Sequence, residues 1–401
     1  MLVSIGIMLL TGLFFGRICN KLRLPSLVGM IVAGVWIGPH MLSILDPIII
    51  ELSPQLRQVA LVIVLTRAGL ALNIYDLWKV GKPALLLCFL PATVEIMGIV
   101  LLAPRIMGIT TIEAVLMGCV LAAVSPAVIV PRMLKMMEEG YGVEKSIPQM
   151  ILAGVSVDDV YVIVLFTSVM AIASGGNLSS NMLLEIPISI VLGVLIGIIT
   201  GVIYIKVINW CSFSNAMEVI LLLSSSFLLL GLEEKIGEYI PISALLAIMS
   251  VGITIYHKRK TVAISLSNAY EKLWVAAEII LFVLVGASVN IEYLRKEVGF
   301  AMIIVGGGLI FRMLGVWIST IGARLEWKER IFCSIAYTPK ATVQAAIGGI
   351  PLAMGLPCGE IILTTAVVAI LLTAPIGAVG IDTLAHRLTN MQAGENRLDE
   401  F

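Results

Sequence analysis

Thirteen apolar runs follow one another along the chain, at about 1–19, 25–45, 57–75, 83–103, 112–136, 148–174, 182–208, 214–232, 239–256, 270–290, 297–323, 329–352 and 359–384. A helix needs roughly 20 apolar residues to cross the hydrocarbon of a bilayer. Inside lipid only helices and closed barrels satisfy their own backbone hydrogen bonds. The sequence therefore predicts an all-α integral membrane protein with thirteen transmembrane helices. Composition agrees: 13% of residues are charged, against about 25% in a soluble domain. Net charge is zero and there is no basic block, so nucleic acid is not an expected partner. Residues 1–19 lack a basic leading segment and a small-residue cleavage site, and are expected to be the first span rather than a removed signal. The six cysteines have no metal or redox spacing and read as small buried hydrophobes.

Orientation follows from the loops. Those after odd-numbered runs, with the C-terminus, hold 18 Lys and Arg residues, and the opposite side holds 5: Arg57, Arg105, Lys235, Arg295 and Lys296. The N-terminus is thus expected outside and the C-terminus in the cytoplasm, with a prokaryotic plasma membrane as the expected location. A missed or invented span would scramble this alternation.

Thirteen spans divide into residues 1–174 as a first six-helix repeat, 175–210 as a linker helix, 211–388 as a second repeat and 389–401 as a short cytoplasmic tail. Spans seven apart cross in opposite directions, so the repeats would be inverted. Span 5 carries Ser125-Pro126 near its middle and its counterpart, span 12, carries Thr338-Pro339-Lys340. Pro126 and Pro339 cannot donate to the carbonyls of Ala122 and Ile335. Helix breaks at the midplane expose carbonyls and helix ends suited to ions.

Ionisable side chains deep in a bilayer cost about 2.5–3.5 kcal/mol each on insertion scales. This chain places Glu95, Asp158, Asp159, Glu278, Arg67, Arg312 and Lys340 within spans. Ion pairs that merely tie helices together could account for one pair but not readily for seven groups. Four carboxylates face three bases, so one acid lacks a fixed partner and must be protonated or hold a mobile cation. Asp158 and Asp159 are adjacent on a helix and point about 100° apart. They cannot share a proton face to face, which argues against an intramembrane aspartyl protease. No K⁺-filter sequence is present. The expectation is a secondary transporter rather than an enzyme, with no cofactor beyond the transported ions.

The stretches LPSLVGMIVAGVWIGP (24–39), LTRAGLALN (65–73), VSPAVIVPRML (124–134), GYGVEKSIPQMILAGVSVDDV (140–160) and TPKATVQAAIGG (338–349) make the chain similar to the monovalent cation/proton antiporters. It resembles most the Asp-Asp sodium/hydrogen antiporter branch that includes the mammalian subfamily B proteins. The resemblance implies a homodimer with crossed, broken helices in a six-helix core and an elevator-like motion. It implies exchange of Na⁺ (or Li⁺) for H⁺ by alternating access, with Asp159 carrying cation and proton in turn and Asp158 as its companion. Ser125 and Ser156 would add oxygen ligands to a transient Na⁺ at Asp159. Glu95 and Arg312 would pair, and Lys340 would support the second break. Two departures stand out. Many relatives place Asp where this chain has Ser125, and electrogenic relatives carry Lys where it has Arg312. Arg stays protonated in proteins, so one-for-one exchange is expected. A K⁺/H⁺ antiporter or K⁺ efflux protein is the alternative.

Overall fold

A computed structural model describes residues 1–72, 81–173, 182–211, 213–237 and 240–389; the side chains of 156 and 182–187 lie outside the description. The described residues form helices and no β-strand: α1 (Leu2–Lys21), α2 (Ser26–Ile37), α3 (Pro47–Glu51), α4 (Ser53–Ala71), α5 (Lys82–Leu87), α6 (Leu90–Met107), α7 (Thr111–Ala122), α8 (Pro126–Glu138), α9 (Ile147–Ala173), α10 (Met182–Cys211), α11 (Asn215–Ile236), α12 (Ala244–Lys258), α13 (Lys260–Ala287), α14 (Ile291–Ser319), α15 (Trp327–Ala336), α16 (Thr342–Ile347), α17 (Ile350–Ala353) and α18 (Gly359–Leu388).

Among the described residues, eight helical stretches are long and apolar enough to cross a membrane: 2–21, 82–107, 111–138, 147–173, 188–211, 215–236, 291–319 and 359–388. The remaining apolar runs give shorter or more charged helices, for local reasons. The run 25–45 is helical only to Ile37, because Gly38 precedes Pro39 and a residue before proline is steered out of the α region. The run 329–352 is divided among α15, α16 and α17. The ends of 57–75 and 148–174, the start of 239–256, and the tail beyond Thr389 fall outside the described residues.

Several helix starts are encoded locally. Thr110 and Glu113 form a reciprocal capping box at the head of α7, and the Asn290 side chain accepts from the first turn of α14. Each satisfies backbone N–H groups that a helix start leaves open.

Packing sorts the helices into two groups. One gathers α1, α2, α4 and α10–α13; the other gathers α5–α9, α14, α15 and α18. Both groups draw on both halves of the sequence, so neither half of the chain forms a body of its own. The first group is held by close backbone approach: a Cβ on Gly34 would collide with the Val283 carbonyl, and one on Gly286 with the Ile31 carbonyl. Small residues at such crossings let dispersion act between backbones where lipid removes the hydrophobic drive. In the second group Gly307 and Gly308 make room for side chains of a neighbouring helix. Gly308 lies against Ile99 and Glu95 of α6, and Gly307 against Leu102. Outward faces carry exposed apolar side chains such as Leu228, Ile199 and Phe14, as a lipid-facing surface requires.

Two expectations are corrected. Of the six free cysteines, Cys88, Cys119, Cys333 and Cys358 are buried, but Cys19 is half-buried and Cys211 is exposed. Arg67 is not a fully buried group. It is 34% exposed and reaches Glu271, 62% exposed, at 3.3 Å. It stands in the last turns of α4.

Candidate functional site

The chain path around Pro126 creates the site. Helix α7 stops at Ala122 and α8 starts at Pro126, which has no N–H to extend the preceding helix. Residues 123–125 are non-helical between them. On the other side α15 stops at Ala336, and residues 337–341 run without helix before α16. The two breaks are bonded together. The Ser125 N–H donates to the Pro339 carbonyl at 2.8 Å. Gln344 Nε2 donates to the Ala123 carbonyl at 2.7 Å and to that of Leu121 at 3.3 Å.

Broken helices leave carbonyls bare at their C-terminal ends, each carrying partial negative charge. Arg312, from the middle of α14, answers both. Its Nη1 donates to the Ala122 carbonyl, the one Pro126 cannot reach, and its Nε donates to the Tyr337 carbonyl at 2.8 Å. The guanidinium also lies 5.6 Å from the Tyr337 ring centroid, within cation–π range. Lys340 Nζ donates to the Leu121 carbonyl.

The same two cations hold the carboxylates. Arg312 Nη1 is 2.8 Å from Glu95 Oε2 and its Nη2 is 2.9 Å from Asp158 Oδ2. Lys340 Nζ is 2.7 Å from Glu95 Oε1. The Val124 N–H, freed by the break, donates to Asp158 Oδ2 at 3.0 Å. All four side chains are essentially inaccessible to solvent. Buried charges persist only when paired and hydrogen-bonded, and this network meets that demand for Glu95, Asp158, Arg312 and Lys340.

It does not meet it for Asp159. Three carboxylates share the centre with two cations, and both cations are committed to Glu95 and Asp158. Asp159 forms no ion pair among the described residues, and its Oδ1 is buried without a hydrogen-bond partner. Asp158 Oδ1 and Ser125 Oγ are buried and unpartnered as well. The arrangement therefore offers three oxygen atoms, one on a carboxylate without counter-charge. Among the described residues no group of three or more His, Cys, Asp or Glu side chains is placed to hold a resident metal.

The expected Glu95–Arg312 pair is present. Asp158, expected as the companion of Asp159, has Oδ2 held by Arg312 and the Val124 N–H, while its Oδ1 stays unpartnered. Lys340, expected to support the second break, sends its ammonium across to the first. Only its backbone N–H serves the second, donating to Thr373 Oγ1 at 2.9 Å. The Ser156 side chain lies outside the described residues. The tally of four acids against three bases becomes three against two at the breaks, since Arg67 pairs with Glu271 and Glu278 lies elsewhere. Sequence reading missed Tyr337, Gln344 and Thr373. Gln344 and Thr373 had a signal: polar side chains inside apolar runs. Tyr337 takes part through its carbonyl, which leaves no mark in a sequence.

Gly154, one turn before Asp158 on α9, packs against the Tyr337 hydroxyl so closely that a Cβ would overlap it. Gly154→Ala is expected to cost about 1–3 kcal/mol, as overpacking does. A thermal melt should show the loss, and adding Tyr337→Phe should recover part of it, since the Leu87 Cβ stays 2.9 Å from the added methyl.

A cavity of about 410 Å³ opens beside the first break. Asn20, Arg23 and Ser26 from the α1–α2 corner and Glu278 of α13 line one wall. Val128 and Arg132 of α8, with Asp382 of α18, line the other. The walls belong to different helix groups. Arg132 grips Asp382 with contacts of 3.0 and 3.2 Å.

A sequence family described as "Sodium/hydrogen exchanger, transmembrane" matches residues 5–386. The chain belongs to this family. Among curated relatives, the exchanger is 34% identical over 397 residues to sodium/hydrogen exchanger 9B2 of Homo sapiens, spanning 94% of this chain and 72% of that one. It is 30% identical over 415 residues to human sodium/hydrogen exchanger 9B1, spanning 96% and 78%. A solved structure of the sodium proton antiporter MjNhaP1 from Methanocaldococcus jannaschii superposes with a TM-score of 0.84 at 20% identity, over 96% of this chain and 98% of that one. That likeness establishes the antiporter fold. The exchanger is thus an integral membrane transporter rather than an enzyme. These relatives give no support to the K⁺ alternative. The curated ones are animal proteins, so the expected prokaryotic membrane is not borne out.

Proposed function

We propose that this exchanger moves Na⁺ or Li⁺ against H⁺ by alternating access, with Asp159 holding cation and proton in turn. The single observation that carries this reading is the unpartnered Oδ1 of Asp159 beside a network whose other charges are paired. A carboxylate away from bulk water and without a counter-ion is stable only when protonated or when a cation sits on it. Asp158 Oδ1 and Ser125 Oγ are the further oxygens for a transient Na⁺, with Ser156, one turn before Asp159, as a fourth. The Glu95–Arg312–Lys340–Asp158 network holds the crossed breaks together and keeps their charge fixed through the cycle.

Around this site the reading takes thirteen crossings, arranged as residues 1–174 and 211–388 in inverted repeat with 175–210 between them. The N-terminus lies outside, and two copies form a homodimer. The group of α5–α9, α14, α15 and α18 moves as the carrier against the other group. Purified protein in liposomes with an internal pH dye tests the function. Na⁺ and Li⁺ gradients are expected to move protons, and K⁺ to give the rate of empty liposomes. Proton movement driven equally by K⁺ would overturn the cation assignment.

Charge balance follows from the same network. Arg312 cannot release its proton and one carboxylate exchanges its ion, so the cycle swaps one H⁺ for one Na⁺ and moves no net charge. A Na⁺ concentration jump on supported membranes is expected to give no sustained current. A sustained current that scales with transport would refute one-for-one exchange.

A further inference from the structure

Asp159 is not alone in being buried without a counter-charge. Arg57 matches it with the opposite sign. It opens the second turn of α4 and is 5% exposed. Its Nε donates to the Ser53 carbonyl at 3.3 Å, while its Nη1 is buried without a partner. Ser53 Oγ, one turn back on the same face of α4, is buried and unpartnered too. We infer that Arg57 and Ser53 hold a small inorganic anion, chloride or its like, as a resident counter-ion. The inference goes beyond the exchange reading and does not depend on it.

Charge is the first argument. Arg keeps its proton in proteins, so burial cannot neutralise it as it can a carboxylate. A buried charge needs a partner, and among the described residues no acid supplies one. Helices α3, α11, α12, α13 and α16 pack on α4. Neither α12 nor α16 carries an acid. Asp46, at the head of α3, takes the N-terminal amine at 2.6 Å. Glu51 of α3 and Glu234 of α11 are exposed. Glu233 accepts from the Ala244 N–H, and the Glu218 carbonyl meets Tyr204 of α10. Glu271 and Glu278 of α13 act on Arg67, ten residues further along α4.

Position is the second argument. Side chains on a helix lean toward its N-terminus, and the Nε bond to Ser53 places the guanidinium over the first turn of α4. No side chain caps that turn, and it carries the positive end of the helix dipole. Two positive features coincide, which is the setting that draws an anion. On the far side the backbone between α16 and α17 closes over the guanidinium. A Cβ on Gly349 would collide with Arg57 Nη1 and come within 2.8 Å of Cζ and 2.9 Å of Nη2. A space so covered suits a single-atom anion better than a phosphate ester.

The test is a thermal melt of purified protein at fixed Na⁺ and ionic strength, with gluconate replaced stepwise by chloride. Gluconate is too large for the space. The wild type is expected to gain about 2 °C in Tm, saturating with chloride. Arg57→Met should melt at one temperature in both salts. Ser53→Ala keeps the guanidinium and should raise the half-saturating chloride roughly tenfold, the worth of one hydrogen bond to an ion. Equal melting of the wild type in the two salts would overturn the inference. So would a chloride response kept in Arg57→Met, or a half-saturation unchanged in Ser53→Ala. Stabilisation by inorganic phosphate, or by vesicles of anionic phospholipid, with none from chloride would replace the small anion by a phosphate group and defeat the inference as stated.

Discussion

Asp159→Asn is expected to reduce Na⁺-driven proton movement in liposomes to the rate of protein-free vesicles, while the protein stays folded. The substitution is nearly isosteric and removes only the ionisable oxygen. No hydrogen bond of Asp159 Oδ1 is lost, because it has none among the described residues. The paired network of Glu95, Arg312, Lys340 and Asp158 is left as it was. The melting temperature should hold or rise, since a neutral amide is easier to bury than an unpaired charge. The result that counts is the combination: transport gone, stability kept. Loss of both would mark Asp159 as a structural residue.

Arg312→Ala is expected to act the other way, with stability gone first. One side chain bonds Glu95, Asp158 and the carbonyls of Ala122 and Tyr337. Its removal strips Asp158 of its ion-pair partner among the described residues and leaves Glu95 to Lys340. Breaking a buried ion pair from one side costs about 3–5 kcal/mol, and here two bare helix ends are added to the loss. A large fall in melting temperature and poor recovery from detergent should follow. Arg312→Lys keeps the charge but not the fork that spans two carboxylates, so it should fall between. A melting temperature unchanged in Arg312→Ala would show that the network does not hold the breaks together.

Much of this site could be read in the chain before its fold was seen, for reasons particular to each residue. Pro126 and Pro339 announce breaks because the missing N–H is a local fact. Glu95 and Arg312 announce a pair because each alone would be too costly in lipid. The fate of the two aspartates could not be read so far. Adjacency on a helix says that Asp158 and Asp159 diverge, but which one meets Arg312 depends on how α9 is rotated against α14. Lys340 reaches the first break because the crossing sets its direction, and a linear sequence has no crossing. Arg67 was misplaced because an apolar run does not mark how far each of its side chains is covered. Glu278 carries the same ambiguity, and only the cavity reveals its setting.

A single measurement bears most directly on the claim that Asp159 trades a hydron for a metal ion. NaCl is added to purified, weakly buffered protein near neutral pH, and the released acid is read with a pH electrode against choline chloride. The account predicts release of one proton per protomer on Na⁺ addition in wild type and none in Asp159→Asn. Equal release from both proteins, or none from wild type at Na⁺ levels that drive transport, would contradict it.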